Sequence, residues 1–337
     1  VGLVGTGIVG LNVARELCGL DSSLRVALLS GTPARRETIA GALGTQVIEQ
    51  GGEAEACDVV VLATPDDQQV ARLPGLLAAG VHVVCTADAP LSIDQLLAFQ
   101  DDAIDARRSV VIGAAMSPGV TSLLAAHAAT LFDRVTEIDI AVSGTAGPAC
   151  RVRRRNAMSG STMERRDGDW AEARSGSSRE LVWFPDPVGA QECEKASLSD
   201  PRVIDRVVPD LAQLTVRAVR TDAKRTLRRP PTDPLGAVRV EVRGMRDGGS
   251  ATTVYGMVDR PGAAAGIATR MAQADISLES IVQRRSRCHM LLPLRVVQHG
   301  QPDPRLRAAG DAEQLDPQRL VFGAAGQCRL HAAGAPA

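Results

Sequence analysis

The sequence predicts an α/β protein, a doubly wound parallel sheet followed by an α+β domain, and three observations predict it. A glycine turn, Gly5-Thr-Gly7-Ile-Val-Gly10, directly follows the short apolar run Val1-Gly-Leu-Val4. Apolar runs of strand length then alternate with helical patterns as far as residue 112. Beyond residue 135 the pattern shifts to alternating strands joined by long connections. Repeated strand and helix units give a parallel sheet covered on both faces, whereas strands in succession give a separate layer.

Each element follows in order. In a Gly-x-Gly-x-x-Gly turn the first glycine allows a tight strand-to-helix turn, the second lets backbone approach a pyrophosphate, and the third lets the helix lie close to the sheet. Residues 11–20 carry Val13, Leu17 and Leu20 at helical spacing, and Arg25-Val-Ala-Leu-Leu29 reads as a buried second strand. Asp58-Val-Val-Val-Leu-Ala63 is a further strand stopped by Thr64-Pro65. Residues 71–79 are helical, Gly80 ends them, and Val81-His-Val-Val-Cys85 is the next strand. A helix over 93–106 precedes Ser109-Val-Val-Ile112. This is the Rossmann pattern, and its ligands bind at the carboxyl ends of the strands. The cofactor-binding candidates are therefore Gly5, Thr6, Gly7, Ile8, Val9, Gly10, Ser30, Thr64, Pro65 and Thr86, with Arg35 and Arg36 beside them.

The second strand's end discriminates between cofactors, because an acid there binds the free ribose hydroxyls of NAD. Here it reads Ser30-Gly-Thr-Pro-Ala-Arg35-Arg36, with hydroxyls and two guanidinium groups where an acid would repel a phosphate. Arginine holds phosphate through a planar fork of donors, so NADP(H) is expected over NAD(H), with NAD still possible. The competing reading makes Arg35 and Arg36 the solvated start of a helix.

Composition excludes other classes. A net charge of -1 gives no field for nucleic acid or an anionic membrane. Aromatics at 2% leave little on which bases could stack. No run is long enough for a membrane span, and a chain starting inside its first strand is expected to lack a secretory leader. A start at Val1 without Met points to a trimmed or fragmentary chain. Seven scattered cysteines with no Cys-x-x-Cys pair argue against a disulfide framework or zinc site, so no metal is expected and a reducing cytoplasm is the natural setting. Tyr-acid dehydrogenase chemistry with a Lys four residues on is excluded, since Asp259 stands four residues after Tyr255, the sole tyrosine.

Gly113-Ala-Ala-Met-Ser-Pro-Gly119 closes the sheet, and an apolar helix over 120–132 carries the chain into a second domain. There Val135-Thr-Glu-Ile-Asp-Ile-Ala-Val142, Glu180-Leu-Val-Trp-Phe184 and Ala237-Val-Arg-Val-Glu-Val-Arg243 read as strands. The expected division is residues 1–118 for the dinucleotide domain, 119–250 for a substrate and dimerisation domain, 251–323 for a return segment or regulatory unit, and 324–337 for a disordered tail.

The glycine turn, Thr64-Pro65, Gly113-x-x-x-Ser-Pro-Gly119, Ser143-Gly-Thr-x-Gly-Pro-Ala149 and Trp183-Phe-Pro-Asp-Pro-Val-Gly189 together resemble the saccharopine dehydrogenase-like proteins. These overlap in their cofactor domain with the glucose-fructose oxidoreductase and inositol dehydrogenase-like group. The resemblance covers roughly residues 1–265. It implies an NAD(P)-dependent oxidoreductase, a homodimer acting on a small amino-acid, imine, keto-acid or sugar-like substrate. One departure matters: the sugar-type enzymes carry Glu-Lys-Pro after the fifth strand, whereas this chain reads Thr86-Ala-Asp-Ala-Pro90. Their proton-transfer lysine does not carry over.

The catalytic candidates are Asp186, Glu192 and Lys195, after a Pro-rich turn, and Asp88, at the end of the fifth strand. A helix begun near Gly189 would put Glu192 and Lys195 on one face, as site residues or as a surface ion pair. Asp88 lies nearer the expected nicotinamide, or simply begins the next turn. His127 in its apolar helix reads as a core histidine. The arginines of Arg151-Val-Arg-Arg-Arg155 and Arg165-Arg166 read as solvated loops or as a means of capturing a substrate carboxylate or phosphate. Segments 165–179 and 225–234 read as mobile surface loops.

Thr252-Thr-Val-Tyr-Gly-Met-Val258, Asp259-Arg-Pro-Gly262, a helix over 263–274 and Ile276-Ser-Leu-Glu-Ser-Ile-Val-Gln283 are similar to the opening half of an ACT regulatory domain. That resemblance implies a homoserine dehydrogenase-like enzyme as an alternative, against which the chain lacks Asn-Gly-Thr-x-Asn. A third alternative is a non-catalytic dinucleotide-binding or amino-acid-sensing protein that kept the fold.

Overall fold

The structure, a computed structural model, describes residues 1–20, 24–44, 47–50, 53–144, 146–220, 235–259 and 297–298. The first layer alternates as its apolar pattern requires: β1 (Gly2–Val4), α1 (Ile8–Leu20), β2 (Val26–Leu28), α2 (Pro33–Leu43), β3 (Val47–Gln50), β4 (Val59–Leu62), α3 (Asp66–Ala78), β5 (His82–Cys85), α4 (Pro90–Leu97), α5 (Gln100–Ala106) and β6 (Val110–Val111). Their sheet has the order β3-β2-β1-β4-β5-β6, every pair parallel. This is the doubly wound dinucleotide-binding order, whose crevice opens between β1 and β4 where the winding reverses. Strands β4 and β5 are buried along their whole length, the signature of a sheet covered on both faces.

Two sequence expectations change here. The helix expected over 93–106 is two helices, broken at Ala98 and Phe99, where the Phe99 ring turns into the apolar cluster under α3 and α4. Strand β3 was not legible, because Val-Ile-Glu-Gln is neither an apolar run nor an alternation.

Helix α6 (Val120–Ala129) joins the layers, and every residue from Val120 to Ala128 on it is buried. A predominantly apolar helix with only three polar residues belongs inside, and one continuous core runs from Leu3 and Val61 of the first sheet through Leu124 to Ile140 and Val240 of the second. His127 is core, as its apolar helix predicts, with its ring 5.6 Å from that of Tyr255.

The second layer comprises β7 (Arg134–Ser143), α7 (Pro148–Ala157), β8 (Ser161–Arg166), β9 (Asp169–Arg174), β10 (Glu180–Trp183), β11 (Ala190–Lys195), α8 (Asp200–Ile204), β12 (Gln213–Val219), β13 (Gly236–Arg246), β14 (Gly249–Asp259) and β15 (Val297–Gln298). Among the described residues its mixed sheet runs β10-β11-β12-β7-β13-β14-β15, with the β8 and β9 hairpin attached to β12. Strands β7 and β12 are parallel and the other pairs antiparallel.

Three loop or helix expectations are corrected. Residues 151–155 form the middle of α7 rather than a solvated loop, since Gly147-Pro148 starts a helix and arginine sustains one. Much of segment 165–179 is hairpin, with Thr162 and Glu164 facing inward and the Arg165 guanidinium over the Trp170 ring at 5.3 Å. Glu192 and Lys195 lie on β11, not on a helix, so a spacing of three sends them to opposite faces. The segment Thr252–Val258 lies within β14, paired to β13 throughout, so the sheet runs past the boundary expected at 250. The remaining parts of the ACT-like region, the tail and segment 225–234 lie outside the described residues, apart from β15. No helix among the described residues is long and apolar enough to cross a membrane.

At the far end of β5, His82 is buried and its Nδ1 accepts the Ser109 N–H at 3.1 Å. Burial, reinforced by the Arg108 charge and opposed by Asp58, pushes the imidazole down from 6.5 to about 4. The unfolded chain therefore takes up this proton first as pH falls, and folding stability is lost between 6.5 and about 4. The shift corresponds to about 3 kcal/mol. His82→Gln is expected to flatten the fall in Tm across this window, measured by thermal unfolding at a series of pH values.

Candidate functional site

The three glycines of the turn do three different things. Gly5 has φ +118°, and a Cβ there would collide with the Ala63 carbonyl, so only glycine lets β1 turn against the end of β4. Its N–H donates to Ser30 Oγ at 2.6 Å, which draws the Ser30 hydroxyl into the turn. A Cβ on Gly10 would strike the Gly5 carbonyl oxygen, so Gly10 sets how closely α1 approaches the strand. A Cβ on Gly7 would meet nothing within 4 Å. The backbone at Gly7 faces open cavity at the N-terminus of α1, where the first N–H groups have no partner within the helix and the helix dipole is positive. This geometry fits a phosphate.

Around the turn lies a cavity of about 900 Å³. Thr6, Ile8, Val9, Arg35, Thr64, Pro65 and Thr86 line it alongside Gly5 and Gly7, whereas Gly10, Ser30 and Arg36 do not. Thr32 caps α2, accepting the Arg35 N–H on Oγ1 at 3.3 Å. That cap aims Arg35 back at the turn, where its Nε donates to the Thr6 carbonyl at 3.0 Å. Arg36 points away and donates to the Gly31 carbonyl at 2.7 Å.

Fully buried Gln69 couples the ends of β4 and β5. Its Nε2 donates to the Thr64 carbonyl at 2.7 Å and to Thr86 Oγ1 at 3.3 Å, and its Oε1 accepts the Ala87 N–H at 3.1 Å. Asp66, one turn earlier on α3, accepts the N–H groups of Asp88 at 3.1 Å and Ala89 at 2.8 Å. Sequence reasoning missed both residues. The signal available was a pair of polar positions, Asp66 and Gln69, spaced three apart at the start of a helix just after a strand end.

The opposite wall comes from α7. Arg153 ion-pairs with buried Asp66 and with Asp88 at 3.1 Å, so one guanidinium ties the second domain to the start of α3 and to the loop after β5. Arg154 and Cys150 also face the cavity, and Arg154 Nη1 donates to the Val142 carbonyl at 3.3 Å. Asp200 lies behind them, fully buried, accepting hydrogen bonds from Ser117 and Thr121. Removal from water pushes the Asp88 carboxyl up to about 7, with Arg154 pulling it back and Asp200 adding to the push.

Asp186, Glu192 and Lys195 are not part of the cavity lining. Asp186 stands in the turn between β10 and β11. Glu192 is exposed and pairs with Arg179 at 3.5 Å. Lys195 pairs with buried Glu164 at 2.6 Å. Asp88 alone of the four catalytic candidates reaches the cavity.

No family model matches the chain. An inositol 2-dehydrogenase of Rhizobium meliloti is 29% identical over 114 residues, which are 33% of this chain and 34% of that protein. The chain thus matches about a third of the length of that curated relative. Apo saccharopine dehydrogenase (L-Glu forming) from Saccharomyces cerevisiae superimposes with a TM-score of 0.62 at 12% identity, over 81% of this chain and 91% of that one. Biliverdin reductase from Synechocystis, solved with biliverdin and NADP+, is a looser match at 13% identity and a TM-score of 0.40, over 84% and 90% of the two chains. The chain shares the two-domain fold of the yeast dehydrogenase, a Rossmann sheet followed by a mixed sheet.

The glycine geometry separates folding from binding. Gly10→Ala is expected to lower stability by roughly 1–3 kcal/mol through overpacking. Gly7→Ala, at the helix cap, is expected to cost no more than about 1 kcal/mol while weakening dinucleotide binding. Urea unfolding and nicotinamide fluorescence check the two halves, and equal loss of stability in both variants would refute the distinction.

Proposed function

We propose that this chain is an NAD(P)-dependent oxidoreductase that transfers a hydride to or from a small polar metabolite, and that NADP(H) is its preferred cofactor. The observation that carries the reading is the open face of Gly7 at the β1 and β4 switch point, the position where a parallel sheet of this order takes a dinucleotide phosphate. Gly5, Thr6, Gly7, Ile8 and Val9 would hold the pyrophosphate, with Thr64, Pro65 and Thr86 along the strand ends. Arg35 supports NADP(H): it stands on the cavity beside the end of β2, and Ser30, Gly31 and Thr32 put no carboxylate there. Arg36, one residue further along the helix, adds positive charge near that edge while its side chain is held by the Gly31 carbonyl.

The dinucleotide supplies or accepts the hydride when bound. The chain must supply orientation and one proton. In the reducing direction the substrate's C=O or C=N carbon gains the hydride and its heteroatom gains a proton. We assign that proton to Asp88, which stands on the cavity at the end of β5 with its carboxyl pushed up to about 7. A keto or imino acid, or the amino acid formed from one, is the substrate class this reading favours.

Titration with NADPH and NADH is expected to show tighter NADPH binding, with the preference reduced roughly tenfold when Arg35 and Arg36 are changed to Ala; failure of both dinucleotides to bind would sink the proposal. Reduction needs Asp88 protonated, so kcat/KM for reduction is expected to fall as pH rises through about 7 and for oxidation to rise through it. Asp88→Asn should lower kcat roughly 100-fold or more and remove that inflection. A variant that keeps the inflection would assign the proton to another group.

A further inference from the structure

Many arginines of the second domain are matched to carboxylates. Arg165 pairs with Asp205, Arg217 with Asp139 and Glu180, and Arg220 with Glu194. On α7, Arg153 is held by Asp66 and Asp88. Arg154 is different. It lines the cavity, and among the described residues no carboxylate stands within ion-pair distance of it. Among the described residues its side chain makes one hydrogen bond, from Nη1 to the Val142 carbonyl, which uses one of the five N–H donors of a guanidinium. Asp88 and Asp200 are near enough for their charges to act on it. Burial penalises its charge, yet an arginine does not give up its proton in a protein. A cation held partly out of water with no carboxylate in direct contact gains where an anion meets it.

Its position says which anion. The pyrophosphate region is the glycine turn, against which the start of α7 is packed, a Cβ on Gly147 lying 3.7 Å from Ile8 Cδ1. Arg154 is nearly two turns further along α7, on the Asp88 side of the cavity. We infer that Arg154 receives a carboxylate of the substrate, holding it in the cavity beside Asp88. This inference rests on the proposed function for its assignment of a substrate to the cavity, and it specifies the substrate as a carboxylic acid rather than a neutral polyol. The planar fork of an arginine matches the two oxygens of a carboxylate, and a polyol would leave the charge unmet.

The test is calorimetric titration of the full chain, with and without NADP+, using acetate, pyruvate and succinate, and with myo-inositol as the uncharged comparator. At least one acid is expected to bind in preference to myo-inositol. Arg154→Met should weaken it roughly 10- to 100-fold. Arg154→Lys, which keeps the charge and loses the fork, should weaken it less, and Arg155→Ala, on the exposed side of the same helix, should leave it unchanged. NADPH affinity should be the same in all variants, and the lysine variant guards against a methionine variant that fails to fold. Binding of acid by Arg154→Met as tightly as by the unaltered chain would overturn the inference. So would the absence of acid binding altogether, or an equal loss of NADPH affinity, which would give Arg154 to the cofactor. Acid binding that depends on Arg154 in a chain that binds no dinucleotide would support the inference and sink the oxidoreductase reading.

Discussion

The Asp66 carboxylate is the point on which the arrangement of the cavity depends. It sits at the first turn of the helix after β4, it receives two backbone N–H groups of the loop after β5, and it pairs with Arg153 of the second domain. One buried group thus fixes three segments that are far apart in the chain. Each partner supplies a reason for the charge to stay: two amide dipoles and a guanidinium offset the loss of water. Removing any one leaves a buried charge incompletely met, and breaking such a pair costs about 3–5 kcal/mol. The loop held in this way carries Asp88, so the chemistry assigned to Asp88 inherits its position from Asp66.

The wall opposite is held differently. Helix α6 is buried on every side and belongs to one core with both sheets, so the two layers are fused by packing rather than hinged on a linker. Asp200 adds a polar fastening to that packing. Ser117 in the turn before α6 and Thr121 on its first turn both donate to it, and it begins α8. Burial raises its carboxyl while those two hydroxyls hold it down. Ser199, just before it, donates to the Asp88 carbonyl at 2.6 Å, so the same fastening reaches the loop after β5. Asp66 holds that loop from the first domain and Ser199 from the second.

What could be read from the sequence divides along physical lines. Strands β1, β2, β4 and β5 were legible because a strand buried on both faces needs a continuous apolar run, and the glycine turn because each glycine answers a local steric demand. The cavity edge beside the glycine turn followed from the same local logic: Arg35 lies on it, whereas Ser30 and Arg36 do not. The opposite wall was not legible. Arg153 and Arg154 look like the other charges of a polar stretch, and nothing local tells that Arg153 meets Asp66, 87 residues earlier. Glu192 and Lys195 failed for a related reason: a spacing of three favours a shared face only if the segment is a helix, and pairing with β10 and β12 made it a strand. Asp88 was reachable because the strand-end rule locates it without any knowledge of its partners.

The choice of charged residues around the cavity constrains the chemistry further. The stretch from Thr86 to Pro90 has no lysine, and the described cations that line the cavity are arginines: Arg35, Arg153 and Arg154. A lysine moved out of water can lose its proton and serve as acid or base, whereas a guanidinium keeps its charge throughout the accessible range. These arginines can attract, orient and pair, but they cannot pass a proton. Among the charged groups of this part of the cavity, only a carboxyl can pass a proton. Asp66 is committed to Arg153 and two amides, and Asp200 lies behind the wall. Of the charged groups this leaves Asp88, the group to which the proton is assigned: its ion pair with Arg153 orients it, and partial burial pushes its carboxyl up toward the range where it can both give and take a proton. A lysine site and a carboxyl site of this kind would respond oppositely to burial, the first pushed down toward neutrality and the second pushed up toward it, so the same partly dry cavity can support either solution.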